Sequence, residues 1–154
     1  MTQTIYKSDK MEYPELHPAT TASQANVELI ERAVADVDDE AAADDLVLLL
    51  KLPAFHSITG FGIFSDELDS DGTETIVVSA GILNADGDDL IDDVFLIKED
   101  TVAQAGGLKE ADESSGLFLS ASTEDRVIAL KIDTVAATKK AGKVRAWLRY
   151  AWLA

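Results

Sequence analysis

Three apolar runs in the middle of the chain limit the folds that it can adopt. They span Leu46–Leu52, Phe55–Phe64 and Thr75–Leu83, and they are separated by Pro53 and by an acidic turn over residues 66–73. Proline has no backbone N–H to donate to a sheet, and Asp-Gly sequences favour turns. Runs of this length that are rich in Val, Ile and Phe are typical of neighbouring β-strands. We therefore predict a mainly β fold, a jelly-roll-like antiparallel β-sandwich with these runs at its centre.

The flanking segments extend this pattern. Residues 26–38 fit both an alternating strand and a helix, and we favour the strand because a sandwich needs an opening strand. Residues Leu90–Gln104 carry apolar side chains at helical spacing and precede Gly106, which predicts one short helix with a glycine cap. Further strands are predicted over Leu117–Ala121, Val127–Ile132 and Lys143–Leu153.

The first 25 residues have no sustained hydrophobic period and contain two prolines. Such a segment is expected to be an extended arm, which either stays disordered or becomes ordered on a partner. A chain of 154 residues suits a single domain with a hydrophobic core. We therefore expect an arm over residues 1–25 and one β-sandwich domain over residues 26–154.

The charge of the chain is high and unevenly distributed. There are 29 acidic and 13 basic residues, a formal net charge of −16, yet residues 126–154 alone carry seven basic residues against one acidic residue. An acidic protein is a poor partner for nucleic acid, whose phosphates require basic patches. The basic segment is either a solvent-exposed edge of a sheet or a face that meets an acidic neighbour, such as another copy of the protein.

The sequence shows no catalytic or metal-binding pattern. It contains no cysteine, and neither His17 nor His56 has further ligands at zinc spacing. The acidic turn around Asp69 fails the EF-hand pattern because Val78 stands where a bidentate Glu is required. Ordinary turns are expected there, with divalent cation binding as the alternative. We expect no enzyme activity, no catalytic residues, no metal and no cofactor.

No segment is predicted to enter a membrane. A membrane-spanning helix needs about 20 consecutive apolar residues, and no run in this sequence approaches that length. The first residues also lack the apolar centre of a signal peptide. We expect a soluble protein that is synthesised in the cytoplasm and has no membrane partner.

Several short motifs follow one another between residues 40 and 150. A strand ends at Leu52-Pro53, a Leu-Asp-Ser turn follows at Leu68–Ser70, the next strand carries Gly81 near its end, and a helix ends in Ala103–Gly107. The chain then continues through a strand, a Thr/Ala-rich turn and a last strand with an aromatic end. In this order the motifs resemble a group of tailed-bacteriophage structural proteins that coat or cement capsids.

The resemblance implies a function without catalysis. Such a protein would lie on the capsid surface of a virion and would be synthesised in the host cytoplasm. It would decorate and stabilise the capsid by bridging neighbouring subunits of its partner, the major capsid protein. Homo-oligomers, trimers among them, are compatible with this role. A neck or tail component of the same virion is one alternative, and a β-sandwich carbohydrate-binding module is another.

Aromatic side chains near the end of the chain are candidates for the core or for an interface. We place Trp147 in the core and expect Trp152 to contact a partner. The expected partner contacts come from the arm and from the basic last strand. They are Tyr6, Tyr13, Leu16, Arg145, Arg149 and Trp152.

Overall fold

The structure, a computed structural model, describes residues 3–12 and 27–152 of the chain. Within these ranges the chain forms nine strands and three helices of one turn each. The strands are β1 (Ile5–Lys7), β2 (Glu28–Val37), β3 (Leu46–Leu52), β4 (His56–Ser65), β5 (Val77–Leu83), β6 (Leu90–Asp100), β7 (Gly107–Glu110), β8 (Arg126–Thr134) and β9 (Gly142–Trp152). The helices are α1 (Asp9–Glu12), α2 (Val102–Ala105) and α3 (Ser114–Leu117).

The strands form two sheets packed face to face. Sheet A has the order β1-β3-β8-β5-β6, and sheet B has the order β2-β9-β4-β7. Strand β1 runs parallel to β3, and the other pairs between these strands are antiparallel. The predicted jelly-roll-like antiparallel sandwich is thereby confirmed. The opening segment around residues 26–38 is a strand, as favoured.

Strand β3 is buried on both of its faces. Val47 and Leu49 belong to the main core between the sheets. Leu46 belongs to a smaller cluster on the outer side of sheet A, where it meets Leu90 and Phe95 of β6. A strand covered on both faces needs apolar residues at successive positions, which explains the unbroken run in the sequence.

The helix predicted over Leu90–Gln104 is wrong. Residues 90–100 form β6, and only Val102–Ala105 form a helical turn, which Gly106 follows with φ of 77°. The pairing of β6 with β5 shifts register three times, and Asp93 and Glu99 adopt positive φ within it. Each bulge adds residues on one strand and so destroys strict alternation. The resulting spacing of apolar residues imitates a helix.

The strand predicted over Leu117–Ala121 is also wrong. Residues Ser114–Leu117 form α3, and the chain that follows has no strand until β8. Helix α3 packs on β6 so closely that a Cβ at Gly116 would lie 2.4 Å from the carbonyl oxygen of Phe95. This contact depends on the fold of a distant strand, so local sequence does not reveal it.

The described part of the predicted arm packs on the sandwich. The backbone N–H of Thr4 donates to Asp45 at 2.7 Å, and the buried Ser8 hydroxyl donates to the carbonyl of Leu49. Ser8 also forms a β-bridge with Ala35 of β2. Residues 3–12 thus link one edge of sheet A to one edge of sheet B. The rest of the predicted arm, residues 13–25, lies outside the described residues, and its role stays a prediction.

A single buried carboxylate joins the two loops at one end of the sandwich. Asp69 has no exposed surface and accepts five backbone N–H groups. Burial alone would raise the pKa of Asp69, but the N–H groups of Thr75, Thr138 and Ala137 outweigh it and hold the pKa well below its ordinary range. Because the oxygens of this carboxylate accept backbone hydrogen bonds from both loops, Asp69 has a structural role in the acidic turn.

We expect Asp69→Asn to lower the free energy of unfolding by about 2–3 kcal/mol, because an amide NH₂ would face backbone donors in place of an acceptor oxygen. The pKa of Asp69 is lower in the folded protein than in the unfolded protein. Its contribution to the free energy of unfolding is therefore complete above the unfolded-state pKa of about 4 and is lost as the pH falls below that value. Urea unfolding near neutral pH and at about pH 3 should show the difference between wild type and variant shrinking in acid.

Asp71→Asn is the matched control, because Asp71 is more exposed and accepts one backbone N–H and one hydroxyl. We expect its effect on the free energy of unfolding to stay below about 1 kcal/mol. Equal losses for the two variants would show that the Asp69 contacts carry no special weight.

Candidate interaction surface

The outer side of sheet B presents arginine and apolar side chains together. Along β2 and β9 the buried residues alternate with outward-facing residues, as a two-residue period requires. Strand β4 adds Phe64 to the same side. We call this surface the arginine–aromatic face and define it by Arg32, Val34, Phe64, Arg145, Trp147 and Arg149.

Strand register brings these residues side by side. In β2 and β9, Arg32 lies opposite Trp147 and Val34 lies opposite Arg145. On the other side of β9, Arg145 lies opposite Phe64 of β4. The face is therefore assembled from three strands that are distant in sequence, with β9 at its centre.

Two glycines in β4 let the large side chains of β9 lie flat. A Cβ at Gly62 would be 2.6 Å from the ring of Trp147, and a Cβ at Gly60 would be 2.6 Å from the guanidinium of Arg149. The Arg149 guanidinium carbon lies 5.3 Å from the centre of the Trp147 ring. The expected core position of Trp147 is therefore wrong: alternation along β9 directs it outward, where it is half-buried.

The arginines of the face differ in how their charge is compensated. Arg145 is 2.9 Å from the carboxylate of Asp66 and lies over the ring of Phe64. The Arg145 hydrogen bond, followed by that of the Lys143 backbone N–H, lowers the pKa of Asp66. Among the described residues, neither Arg32 nor Arg149 forms an ion pair, and the buried Nε of Arg149 has no hydrogen-bond partner there.

Apolar side chains at the margins enlarge the face. Ile30 on β2 and Leu108 on β7 are each 60% exposed, and Phe64 is 46% exposed. Leu108 lies opposite Phe64 in the sheet. Sequence reasoning missed five residues of this surface: Ile30, Arg32, Val34, Phe64 and Leu108. For β2, the available signal was that apolar residues occupy outward-facing as well as inward-facing positions. A strand buried on only one face needs apolar residues at the inward-facing positions alone.

The opposite side of the sandwich is acidic. Lys131 points outward from β8 and is bracketed by Asp44 at 3.3 Å and Asp89 at 2.9 Å. Further exposed carboxylates follow on the neighbouring turn and on β6. They include Asp86, Asp88, Asp92 and Asp93. The exposed carboxylates thus lie on the side opposite Arg32 and Arg149, whereas Arg126 on sheet A donates to the backbone carbonyls of Ser120 and His56.

The other expected contact residues lie apart from one another. Half-buried Tyr6 on β1 donates its hydroxyl to Asp38 at 2.8 Å, and burial followed by this hydrogen bond raises its pKa. Trp152 is half-buried at the opposite end of β9, where it pairs with His56. Tyr13 and Leu16 lie outside the described residues. The structure therefore groups only Arg145 and Arg149 of the expected set.

A second exposed aromatic feature lies at the turn between β3 and β4. Phe55 is 53% exposed with φ of 63°, a conformation that bulky residues rarely adopt. Its N–H donates to Ser122 at 2.7 Å, and Asp125 accepts the N–H of Ala54 at 2.9 Å. Phe118 on the attached loop is 85% exposed. We call Phe55 and Phe118 the aromatic tip.

The described residues do not assemble a metal site. No group of three or more His, Asp or Glu side chains among them could hold a metal ion. His56 Nδ1 lies 2.8 Å from the carbonyl of Ala54, and its ring packs edge-on against Tyr150. His17 falls outside the described residues. None of the helices in the described ranges has the length and apolarity that a membrane crossing requires.

The fold is shared with chains in solved phage capsids, although no protein-family model matches and no curated protein is significantly similar in sequence. A chain in the capsid of Ralstonia phage GP4 has a TM-score of 0.84 and 23% identity, with 98% of this chain and 99% of that chain covered. A chain in the capsid asymmetric unit of cyanophage Pam1 has a TM-score of 0.69 and 23% identity, with 88% and 99% covered. A chain in the acidic stable capsid structure of Helicobacter pylori bacteriophage KHP30 has a TM-score of 0.52 and 13% identity, with 83% and 90% covered. At these identities the likeness establishes a common fold.

We expect Phe55→Asn to leave the free energy of unfolding unchanged within about 0.5 kcal/mol or to raise it, because Asn adopts positive φ readily and little packing is lost. Chemical denaturation measures this difference. Phe61→Ala, at a position that is 1% exposed, should cost about 3–5 kcal/mol and serves as the comparison. A loss above about 1 kcal/mol in Phe55→Asn would mean that the ring stabilises the fold.

We expect Gly62→Ala to displace Trp147 and to lower the free energy of unfolding by about 1–3 kcal/mol, since the new methyl group overlaps the indole. Tryptophan fluorescence in a Trp152→Phe background should report the altered environment of Trp147. Gly72→Ala is the control, because a Cβ there meets nothing within 4 Å. Unchanged fluorescence in Gly62→Ala would contradict the flat packing of Trp147.

Proposed function

We propose that the protein is a virion structural protein that decorates and stabilises a tailed-phage capsid by bridging neighbouring major capsid subunits, without catalysis. The observation that carries this proposal is the end-to-end likeness to the chain from the phage GP4 capsid, with a TM-score of 0.84. Because almost all of both chains aligns, that capsid chain is about as long as this one. A compact sandwich of this size suits an accessory layer on a shell.

Bridging requires at least two exposed surfaces on a rigid body. We assign these roles to the arginine–aromatic face on sheet B and to the aromatic tip at the turn between β3 and β4, since both present exposed apolar side chains. Many copies on a symmetric shell can convert modest affinity at each site into durable coverage. The major capsid protein is the proposed partner, and homo-oligomers such as trimers stay part of the proposal.

The geometry does not favour the carbohydrate-binding alternative. A sugar-binding module needs an aromatic ring with a free face, and the guanidinium of Arg149 lies over the ring of Trp147. Tyr150 is fully buried and donates its hydroxyl to Glu31 at 2.9 Å. Of the three candidate platforms, Trp147 and Trp152 keep partial exposure, and Trp147 is the one covered by the arginine.

We expect the protein to be present on purified particles of the phage that encodes it, at a simple ratio to the major capsid protein. Quantitative mass spectrometry of those particles measures the ratio. A value near one, or a simple fraction of one, follows from decoration of a whole symmetric shell.

Other ratios contradict decoration. About a dozen copies or fewer in each particle would indicate a neck or tail component, whose ring symmetry limits its number. Absence from washed particles would overturn the virion role itself.

A further inference from the structure

We propose that the arginine–aromatic face is the surface that docks on the shell, and that its partner is an acidic protein surface that also presents apolar side chains. This inference rests on the proposed function and adds to it the orientation of the protein and the chemistry of its partner. The acidic side of sheet A then faces away from the shell.

The apolar part of the face argues for contact with protein. Ile30, Val34, Phe64 and Leu108 are all exposed on one side of one sheet. Soluble monomers rarely gather such side chains on one surface unless a partner covers them. Leu108 and Phe64 are direct neighbours across β7 and β4, and Val34 lies two strands away in the same row, opposite Arg145.

The arginines argue for an acidic partner. Arg149 is held over Trp147 and against Gly60, so its guanidinium is oriented before any partner arrives. Arg32 is exposed opposite Trp147 and forms no ion pair among the described residues. A guanidinium that is already oriented loses little entropy when a carboxylate binds to it.

The distribution of charge determines the orientation. The protein as a whole carries −16, and the side with the exposed Asp86, Asp88 and Asp92 would be repelled by an acidic surface. The unpaired arginines on sheet B would be attracted to the same surface. Charge complementarity of this kind steers encounter and suppresses the wrong orientation.

A second copy of the chain is a poorer occupant of the face. The acidic side and the arginine–aromatic face lie on opposite sides of the sandwich, so their mutual contact would be heterologous. Stacking through opposite faces does not close into a ring and produces open filaments. Nucleic acid is also disfavoured, because a phosphate backbone offers no apolar contacts to the exposed Ile30, Phe64 and Leu108.

The test compares two equal charge reversals on opposite sides. Arg32→Glu changes the face, and Lys98→Glu makes the same change on exposed β6 of sheet A. Each full-length variant is added to particles prepared from a phage that lacks the gene, and bound protein is measured by co-sedimentation. We expect Arg32→Glu to weaken binding by about 10-fold or more and Lys98→Glu by less than about 2-fold.

Fold is controlled separately by thermal unfolding, in which both variants should match wild type because both sites are exposed. A photo-crosslinking residue at Leu108 should capture a shell protein, whereas one at Asp92 should capture none. Capture at Asp92 but not at Leu108 would overturn the inference.

The outcomes separate this inference from the proposed function. If wild type fails to bind the particles, both are overturned. If wild type binds and the two reversals are equivalent, only the docking face is wrong. Salt-sensitive self-association of wild type that Arg32→Glu abolishes would assign the face to a second copy. A gel shift with duplex DNA that Arg32→Glu abolishes would assign it to nucleic acid.

Discussion

The carboxylate of Asp69 joins two of the connections by which the chain crosses between the sheets. Residues 66–76 lead from β4 to β5, residues 135–141 lead from β8 to β9, and Asp69 accepts backbone N–H groups from both. Because the donors belong to the main chain, the contact constrains loop geometry whatever side chains the loops carry. Strand β9 enters sheet B from this anchored end, where Arg145 meets Asp66 and Phe64. An acid that looks like a cation ligand in the sequence therefore supports the candidate surface.

The sequence predicts strands well where burial imposes a simple pattern. Strand β3 is covered on both faces and forms a nearly unbroken apolar run, and in β5 the alternate residues Val78, Ala80 and Ile82 belong to the main core as expected. Strand β6 fails because its bulges around Asp93 and Glu99 are accommodated by β5, a partner that local sequence cannot specify. Strand β1 is too short to carry a period, and it forms because β3 offers an edge.

The candidate surface was predictable only in part, for a related reason. An excess of basic residues near the end of the chain pointed to Arg145 and Arg149 without showing what lies beside them. Ile30 and Val34 produced the competing helical pattern in residues 26–38 because they are apolar on the outward phase of β2. Their exposure is what made the segment ambiguous. Apolar residues that serve an interface occupy outward-facing positions, where the pattern of a half-buried strand predicts polar residues. Segments that depart from the pattern in this way are therefore surfaces worth testing.

The separation of charge in this molecule has opposing consequences for a coat built from many copies. In the proposed coat, the acidic flanks of neighbouring copies would repel one another. Salt screens charges separated by more than about 8–10 Å, so it relieves repulsion between copies more than it weakens ion pairs buried under a docked face. Under the proposed function, stable coverage would then depend on short-range contacts at each site. The flat packing of Trp147 on Gly62 and of Arg149 on Gly60 suits such contacts. It holds the guanidinium of Arg149 in a fixed position on a flat surface.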